Sequence, residues 1–443
     1  MLAEKINFVF DPGNINSLAR KSGFLVRKSK LDGFQFLFSL VFAYHRGDHF
    51  SLLDMVSYLF KDFGIKITKQ SLHDRFSSKA VGFLKSCLDN LLSQRIQYPG
   101  NINILKSHFN RIRIKDSTKF ALPDSFSKKY KGYRGALHNS SSMISIQYEY
   151  DFLSGQSMDL RLTNGVRNDQ SDSRESTHNI QERDLFLRDL GYCTLNFLSM
   201  VNSAKAYFVC RLAPKTNIYP CTTSKDPIDV KDYLKKLKKH QLHHMEVEVF
   251  LGKKERIPAR AVISLADTAT YEKRLRKTSK QARSTGNRVS TAFKIRAQLN
   301  IMVTNVPRRF LGAENIRTVY SLRWQIELLF KVWKSQATIN EFTTGKIERF
   351  ECQLYGKLIW IILNMNIFNW LQQRIYKHKK VLCSVWKYFK HIKNLSDQLM
   401  EAIKVPRKII NFMEKLAEIA PKILLLERKK GKLSLNQAVN SLA

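Results

Sequence analysis

Tyr320, Arg323, Glu327, Lys331 and Lys334 stand at offsets of zero, three, seven, eleven and fourteen in the segment YSLRWQIELLFKVWK. At about 100° per residue they fall within roughly an 80° arc of one helical face. Leu322, Ile326, Leu329 and Trp333 take the other side and give the helix a buried back. Taken alone, the charged row equally fits a solvated salt-bridge ladder, each pair contributing only about a few tenths of a kcal/mol. Two aspartates shift the weight. Asp116 ends the alternating stretch RIRIKD, and Asp189 ends the short apolar stretch LFLRD. Adjacent strands could bring the two within a few Å, with Glu327 supplied by a packed helix. Three carboxylates that close repel one another unless hard cations neutralise them, and oxygen-only ligation suits two Mg²⁺ or Mn²⁺ ions. Two such ions can activate a water or a 3′-hydroxyl and stabilise the leaving oxygen of a phosphodiester. The basic row beside Glu327 would clamp the phosphates.

The elements that must position these groups follow from the periodicity. Residues 1–105 read as all-α, with apolar residues at three and four spacings in LDGFQFLFSLVFAYH and AVGFLKSCLDNLL. Within them a helix, a turn at Phe63-Gly64 and a second helix capped by Thr68 resemble a helix-turn-helix. Its outward Lys69, Gln70, His73 and Arg75 are candidate DNA contacts, although an ordinary bundle pair fits the pattern as well. In 106–212 the period switches to two in RIRIKDS, MISIQYEYDF and SMDLRLTN. The helix CTLNFLSMVNSA and the strand AYFVCRL follow, so a mixed α/β layer fold is expected. Residues 213–306 change texture: a hairpin turning at Gly252 precedes a basic run, and the whole reads as a β-rich insertion. From Lys273 to Arg288 this run carries no acid, which makes Arg274, Arg276, Lys277, Lys280 and Arg283 candidates for DNA-backbone contact. Residues 307–375 carry the Glu327 helix, and 376–443 read as a helical C-terminal region suited to dimerisation, with LERKKGK in its tail.

Composition names the kind of partner. Lys and Arg number 75 against 37 Asp and Glu, a formal net charge of +38 spread over the whole chain, so a polyanion such as duplex DNA is expected, ahead of a membrane surface or ribosomal association. A chain that is 44% hydrophobic is too rich in core-forming side chains to be a disordered basic tail. The six cysteines show no metal-ligand spacing, and the N-terminus lacks the pattern of a signal peptide, so a cytoplasmic, nucleoid-associated protein without a membrane partner is expected. The apolar stretch Leu358–Leu371 is interrupted by Asn364, Asn366 and Asn369 and reads as a buried helix. Asp124, Asp151, Asp184 and Asp267 sit where turns and caps favour Asp, His240, His243 and His244 read as surface, and Ser140–Ser142 lack a base partner.

The combination resembles the DDE transposases of bacterial insertion sequences, specifically the insertion-sequence-four group. That group's signature of Tyr, Arg, Glu and Lys is matched by Tyr320, Arg323, Glu327 and Lys334, its first aspartate by Asp116 in IKDST, and its second by Asp189 in DLGY. The likeness runs from SLHDRF to about Gln372. It implies an RNase H-like core and cut-and-paste transposition by a homodimer holding both element ends and target DNA, with cleavage through a hairpin on the transposon end. It also implies that Asp116, Asp189 and Glu327 hold the metals, while Tyr320, Arg323, Lys334 and, by the same inference, Lys331 position the terminal phosphates and a flipped base. Arg211 resembles a basic residue at that place in the group. One departure stands out. Some members hold the flipped base with a tryptophan in the insertion, whereas all five tryptophans here lie later, so Tyr271 or Phe293 serves or base capture differs. Outside transposition, the same core would suit a catalytically idle DNA-binding regulator or a non-specific metal-dependent nuclease.

Overall fold

The computed structural model describes residues 2–42, 51–94, 108–133, 141–175, 179–342, 344–427 and 435–442. The boundary expected at 105/106, Ser140 and most of the LERKKGK tail lie outside the described residues. The chain opens on helices α1 (Leu2–Val9), α2 (Pro12–Lys21), α3 (Gly33–Phe42), α4 (Leu52–Phe63), α5 (Lys69–Arg75) and α6 (Ser78–Ser93). The middle of the chain runs β1 (Arg111–Leu122), β2 (Ser142–Asp151), β3 (Ser157–Asn164), α7 (Asp169–Glu175), β4 (Asp184–Arg188), α8 (Leu195–Ser203) and β5 (Tyr207–Arg211). It continues with β6 (Ile218–Tyr219), α9 (Val230–Lys239), β7 (Met245–Leu251), β8 (Ile257–Leu265), α10 (Thr268–Ser284), α11 (Thr291–Ala297) and β9 (Leu299–Thr304). Helices α12 (Ala313–Ser321), α13 (Trp324–Ser335), α14 (Ile347–Lys379), α15 (Val385–Asn394), α16 (Ser396–Lys404), α17 (Pro406–Ile423) and α18 (Leu435–Ser441) close the chain. Among the described residues the strands form a nine-stranded mixed sheet in the order β3-β2-β1-β4-β5-β9-β8-β7-β6, so the expected mixed α/β class is found. The hairpin read around Gly252 is β7 and β8, paired antiparallel.

Local chemistry sets the helix ends. Ser51 and Asp54 form a capping box on α4, and Gly64 ends that helix at a φ of 67°, a left-handed conformation that favours glycine. Thr68, Thr194, Asp267 and Ser290 each accept a backbone N–H at the start of α5, α8, α10 and α11.

The chain divides into two compact units, residues 1–103, 117–166 and 325–439 in one and residues 104–116, 167–324 and 440–443 in the other. In the first, α14 is buried on nearly every side over most of its length, its polar residues included. Gly356 lets α3 approach it, because a Cβ there would stand 2.6 Å from the Leu40 carbonyl oxygen. The asparagines that interrupt its apolar run have partners: Asn364 donates to Trp360 O at 2.9 Å and Asn369 to Gly155 O at 2.6 Å. Glu351 accepts from Tyr130 and is paired with Lys129. Lys357 donates to the Thr338 and Glu341 carbonyls at 2.7 Å each, tying down the chain before α14, and burial pulls its amine down to about 7. Among the described residues no helix is long and apolar enough to cross a membrane.

In the second unit the start of β1 lies beside β4 in parallel, pairing Arg111 with Asp184 through to Lys115 with Arg188. Central parallel strands are covered on both faces. Arg113 and Lys115, which alternate with Ile112 and Ile114, are therefore buried instead of solvated. Their charges are met inside. Asp184, fully buried, takes Arg111 at 2.5 Å and Arg113 at 3.3 Å, while Lys115 meets Asp172 of α7 at 2.7 Å. An apolar core built from Phe186, Phe197, Phe208, Val249, Ile263 and Val303 fills this unit.

Removing one partner of a buried ion pair strands the other, at a cost of about 3–5 kcal/mol. Asp184→Ala is therefore expected to lower unfolding stability by about that amount in a denaturant titration. Lys357 has a folded pKa below its unfolded value, so its contribution to stability rises with pH between about 7 and the usual lysine range and is flat below about 7. Melting curves of the wild type and Lys357→Met should differ by a gap that changes across that window, and a pH-independent gap would contradict this.

Candidate active site

The strand register builds the site. β1 and β4 pair as far as Lys115 with Arg188, and β4 and β5 pair as far as Leu187 with Val209, all parallel. Carried one or two residues further, the same register sets Asp116 beside Asp189 and Asp189 beside Arg211. All three then fall on the face shared with Ile112, Ile114, Leu185 and Leu187, since side chains alternate along a strand. This is the carboxyl end of three neighbouring parallel strands, where open α/β sheets place their ligands. Asp116 does not end its strand as the sequence suggested. β1 continues to Leu122, and what ends at Asp116 is the pairing with the shorter β4.

Two arginines and a tyrosine complete this cluster. Arg323 Nη1 donates to Asp116 Oδ2 at 3.2 Å, and Arg211 Nη2 donates to Asp189 Oδ1 at 3.2 Å. Both guanidiniums lie 5.9 Å from the centre of the Tyr320 ring, whose hydroxyl donates to Arg188 O at 3.4 Å. Burial pushes the Tyr320 phenol up to about 12 against the pull of Arg211. Burial also opposes the charge on Arg211, but Tyr320 and Asp189 outweigh it and hold that guanidinium's pKa above its ordinary value.

The row expected on one continuous helix is interrupted. α12 ends at Ser321 and α13 begins at Trp324, joined by a tight turn in which Leu322 and Arg323 donate to the carbonyls of Val319 and Tyr320. Tyr320 thus belongs to α12, while Glu327, Lys331 and Lys334 lie on α13. The turn escaped the spacing argument because one turn of i→i+3 bonding alters the period too little to show in five residues. The expected buried back is present: Leu322, Ile326, Leu329 and Trp333 are all buried. Trp333 packs against Tyr148 of β2 with ring centres 4.8 Å apart. Glu327 is half-buried and Lys331 exposed. Lys334 reaches Lys119 O at 3.0 Å, and burial lowers its pKa. Among the described residues, no three of His, Cys, Asp and Glu come together as a ready metal cage. In donor chemistry the Asp116–Asp189 pair fits hard divalent cations, because both ligands are carboxylate oxygens and each already faces a positive group.

The remaining candidates sort by exposure. Lys69 and Gln70 are exposed at the start of α5, with Gln70 bonded to Asp74, whereas His73 and Arg75 are half-buried. On α10 no residue is fully buried, and Arg276, Lys277, Lys280 and Arg283 are exposed. Arg274 differs. It donates to the carbonyls of Ala297 and Leu299 at 2.9 Å and to Asn300 at 2.6 Å, anchoring α10 to the start of β9. Tyr271 and Phe293 are half-buried, and His240, His243 and His244 are exposed. Asp151 and Asp267 accept local hydrogen bonds at a turn and a helix start, and Asp124 accepts one from the Ser141 backbone N–H. Sequence reasoning missed the buried Lys115–Asp172 pair directly behind Asp116; an alternating strand with cations on one face was its only trace.

An α/β sheet with paired aspartates and basic groups at the carboxyl ends of parallel strands defines a class of protein suited to phosphate chemistry. Comparison with known proteins narrows that class. Residues 107–363 match the family model of the transposase DDE domain. The chain is 31% identical over 428 residues to the transposase for insertion sequence element IS231F of Bacillus thuringiensis subsp. israelensis, covering 93% of this chain and 89% of that one. It is 30% identical over 383 residues to the transposase for IS1151 of Clostridium perfringens, covering 83% and 80%. A solved piggyBac transposase synaptic complex with hairpin DNA aligns with a TM-score of 0.48 at 13% identity, over 98% of this chain and 87% of that one. The chain belongs to the DDE transposases, of the insertion-sequence-four type.

Because Arg274 holds three acceptors, Arg274→Ala should destabilise the fold by about 1–3 kcal/mol. Lys277→Ala and Lys280→Ala, on exposed positions, should stay within about 0.5 kcal/mol of wild type in the same melt.

Proposed function

We propose that this protein binds the terminal inverted repeats of an insertion sequence, cleaves phosphodiester bonds there and transfers the 3′ ends to target DNA, with a hairpin intermediate. The observation that carries this reading is the parallel register of β1 and β4, which runs up to the residues just before Asp116 and Asp189, each of these in contact with an arginine of the family signature or its neighbourhood. In this proposal Asp116, Asp189 and Glu327 are the metal ligands. Two Mg²⁺ or Mn²⁺ ions, when bound, supply activation of the attacking oxygen and stabilisation of the leaving one. Arg211, Arg323, Lys331 and Lys334 hold the phosphates around the cleaved bond. A guanidinium does this with a planar fork of donors, which fixes the angle as well as the distance of a phosphate. Tyr320 braces both guanidiniums and offers a flat face to a base beside them.

The outlying segments take supporting roles in the same proposal. An RNase H-like core would span 106–212 and 307–375. The helical segment 1–105, through Lys69, Gln70, His73 and Arg75, and the insertion 213–306, through Arg276, Lys277, Lys280 and Arg283, would grip the duplex by its backbone. Their charge argues for this, since the protein carries a net +38 and α10 presents its cations outward. The C-terminal segment 376–443 is assigned to pairing two copies in the synaptic complex.

Asp116→Ala, Asp189→Ala and Glu327→Ala should each reduce cleavage of end-containing duplex in Mg²⁺ more than about 100-fold while duplex binding survives. Cleavage that persists in all three variants overturns the mechanism. Nicking by the wild type without any joined product would identify a nuclease instead of a transposase.

A further inference from the structure

The two aspartates are not bare. Asp116 is paired with Arg323, and Asp189 with Arg211, each at 3.2 Å. The first pair is largely buried, at 21% and 7% exposure, while the second is open to solvent at 43% and 45%. Within these two pairs each carboxylate is matched by one guanidinium, which weakens the pull of Asp116 and Asp189 on a divalent cation. Resting on the reading of Asp116 and Asp189 as cation ligands, we propose that Arg211 and Arg323 are exchangeable counter-ions. In the absence of DNA they occupy the carboxylates and hold cation affinity down; DNA phosphates draw them off, so cation and DNA bind with positive coupling.

The chemistry makes the exchange inexpensive. A guanidinium meets carboxylate and phosphate with the same planar pair of N–H donors, so moving between them replaces one charge-assisted hydrogen bond with another of similar strength. Tyr320 lies 5.9 Å from both guanidiniums and keeps them at the site whichever anion they face. Once both have turned to phosphate, Asp116 and Asp189 are left as neighbouring carboxylates without their counter-ions, an arrangement that like-charge repulsion makes costly until a cation arrives. Coupling of this kind is reciprocal. The factor by which DNA tightens cation binding equals the factor by which the cation tightens DNA binding. A consequence for the protein is that it stays poorly loaded with metal until DNA occupies the site.

The test uses the full chain, Mn²⁺ alone as the cation, detected as free ion by electron paramagnetic resonance, and a short duplex from the DNA flanking its reading frame. Duplex should tighten Mn²⁺ binding to the wild type by about tenfold, beyond what the duplex binds alone, and Mn²⁺ should tighten duplex binding by the same factor. The Arg211→Met, Arg323→Met double variant should bind Mn²⁺ about tenfold more tightly than wild type without DNA and show less than about twofold coupling. Arg211→Met alone, at the exposed pair, should lie between the two and keeps the test valid should the double variant fail to fold. Unchanged DNA-free affinity, or full coupling in the variants, overturns the exchange. Failure of the site itself looks different: Asp116→Asn with Asp189→Asn would then bind Mn²⁺ like the wild type, and the counter-ion role would fall with it.

Discussion

Like charges placed side by side are the constraint on which this site depends. The parallel register of β1, β4 and β5 brings Asp116, Asp189 and Arg211 to the same end of neighbouring strands, with Arg211 in contact with Asp189. Two carboxylates on strands about 5 Å apart repel each other unless positive charge lies close by. Arg323 and Arg211 supply that charge, and the proposed metal ions compete for the same positions. The unfavourable arrangement can persist because the strands that impose it are held by other interactions.

Those interactions lie on the opposite face of the same strands. Arg111, Arg113 and Lys115 of β1 are matched by Asp184 of β4 and Asp172 of α7, all but the partly exposed Arg111 within a water-excluded layer. Buried ion pairs of this kind add little net stability over apolar packing, but they penalise a shifted register heavily, because a slip leaves charges without partners. Aromatic packing adds to the arrangement, with Arg188 stacked 4.1 Å from the Phe197 ring centre. The alternation of β1 therefore has two consequences: one set of residues secures the register, and the other ends in the acid that the register places.

Much of the site was legible in the chain. The spacing of Tyr320, Arg323, Glu327 and Lys334, and the strands before Asp116 and Asp189, are local patterns that survive without knowledge of contacts. Features set by long-range contact were harder to read. Arg274 looked like its neighbours on α10, and only its three acceptors around β9 mark it as an anchor. The tight turn at Leu322–Arg323 is likewise invisible to helical periodicity.

What the sequence determined by itself is the chemistry available: an excess of cations suited to a polyanion, acids at the ends of apolar strands, and a signature row whose apolar back had to be buried. Tertiary structure alone decided the pairings, namely which strand lies beside which, that Arg113 and Lys115 go inside, and that Arg211 and Arg323 rest on the aspartates. The reason is physical. A side chain's type and periodicity are encoded locally, whereas the partner that satisfies a buried charge comes from elsewhere in the chain, about 70 residues away for Asp184 and about 200 for Asp116.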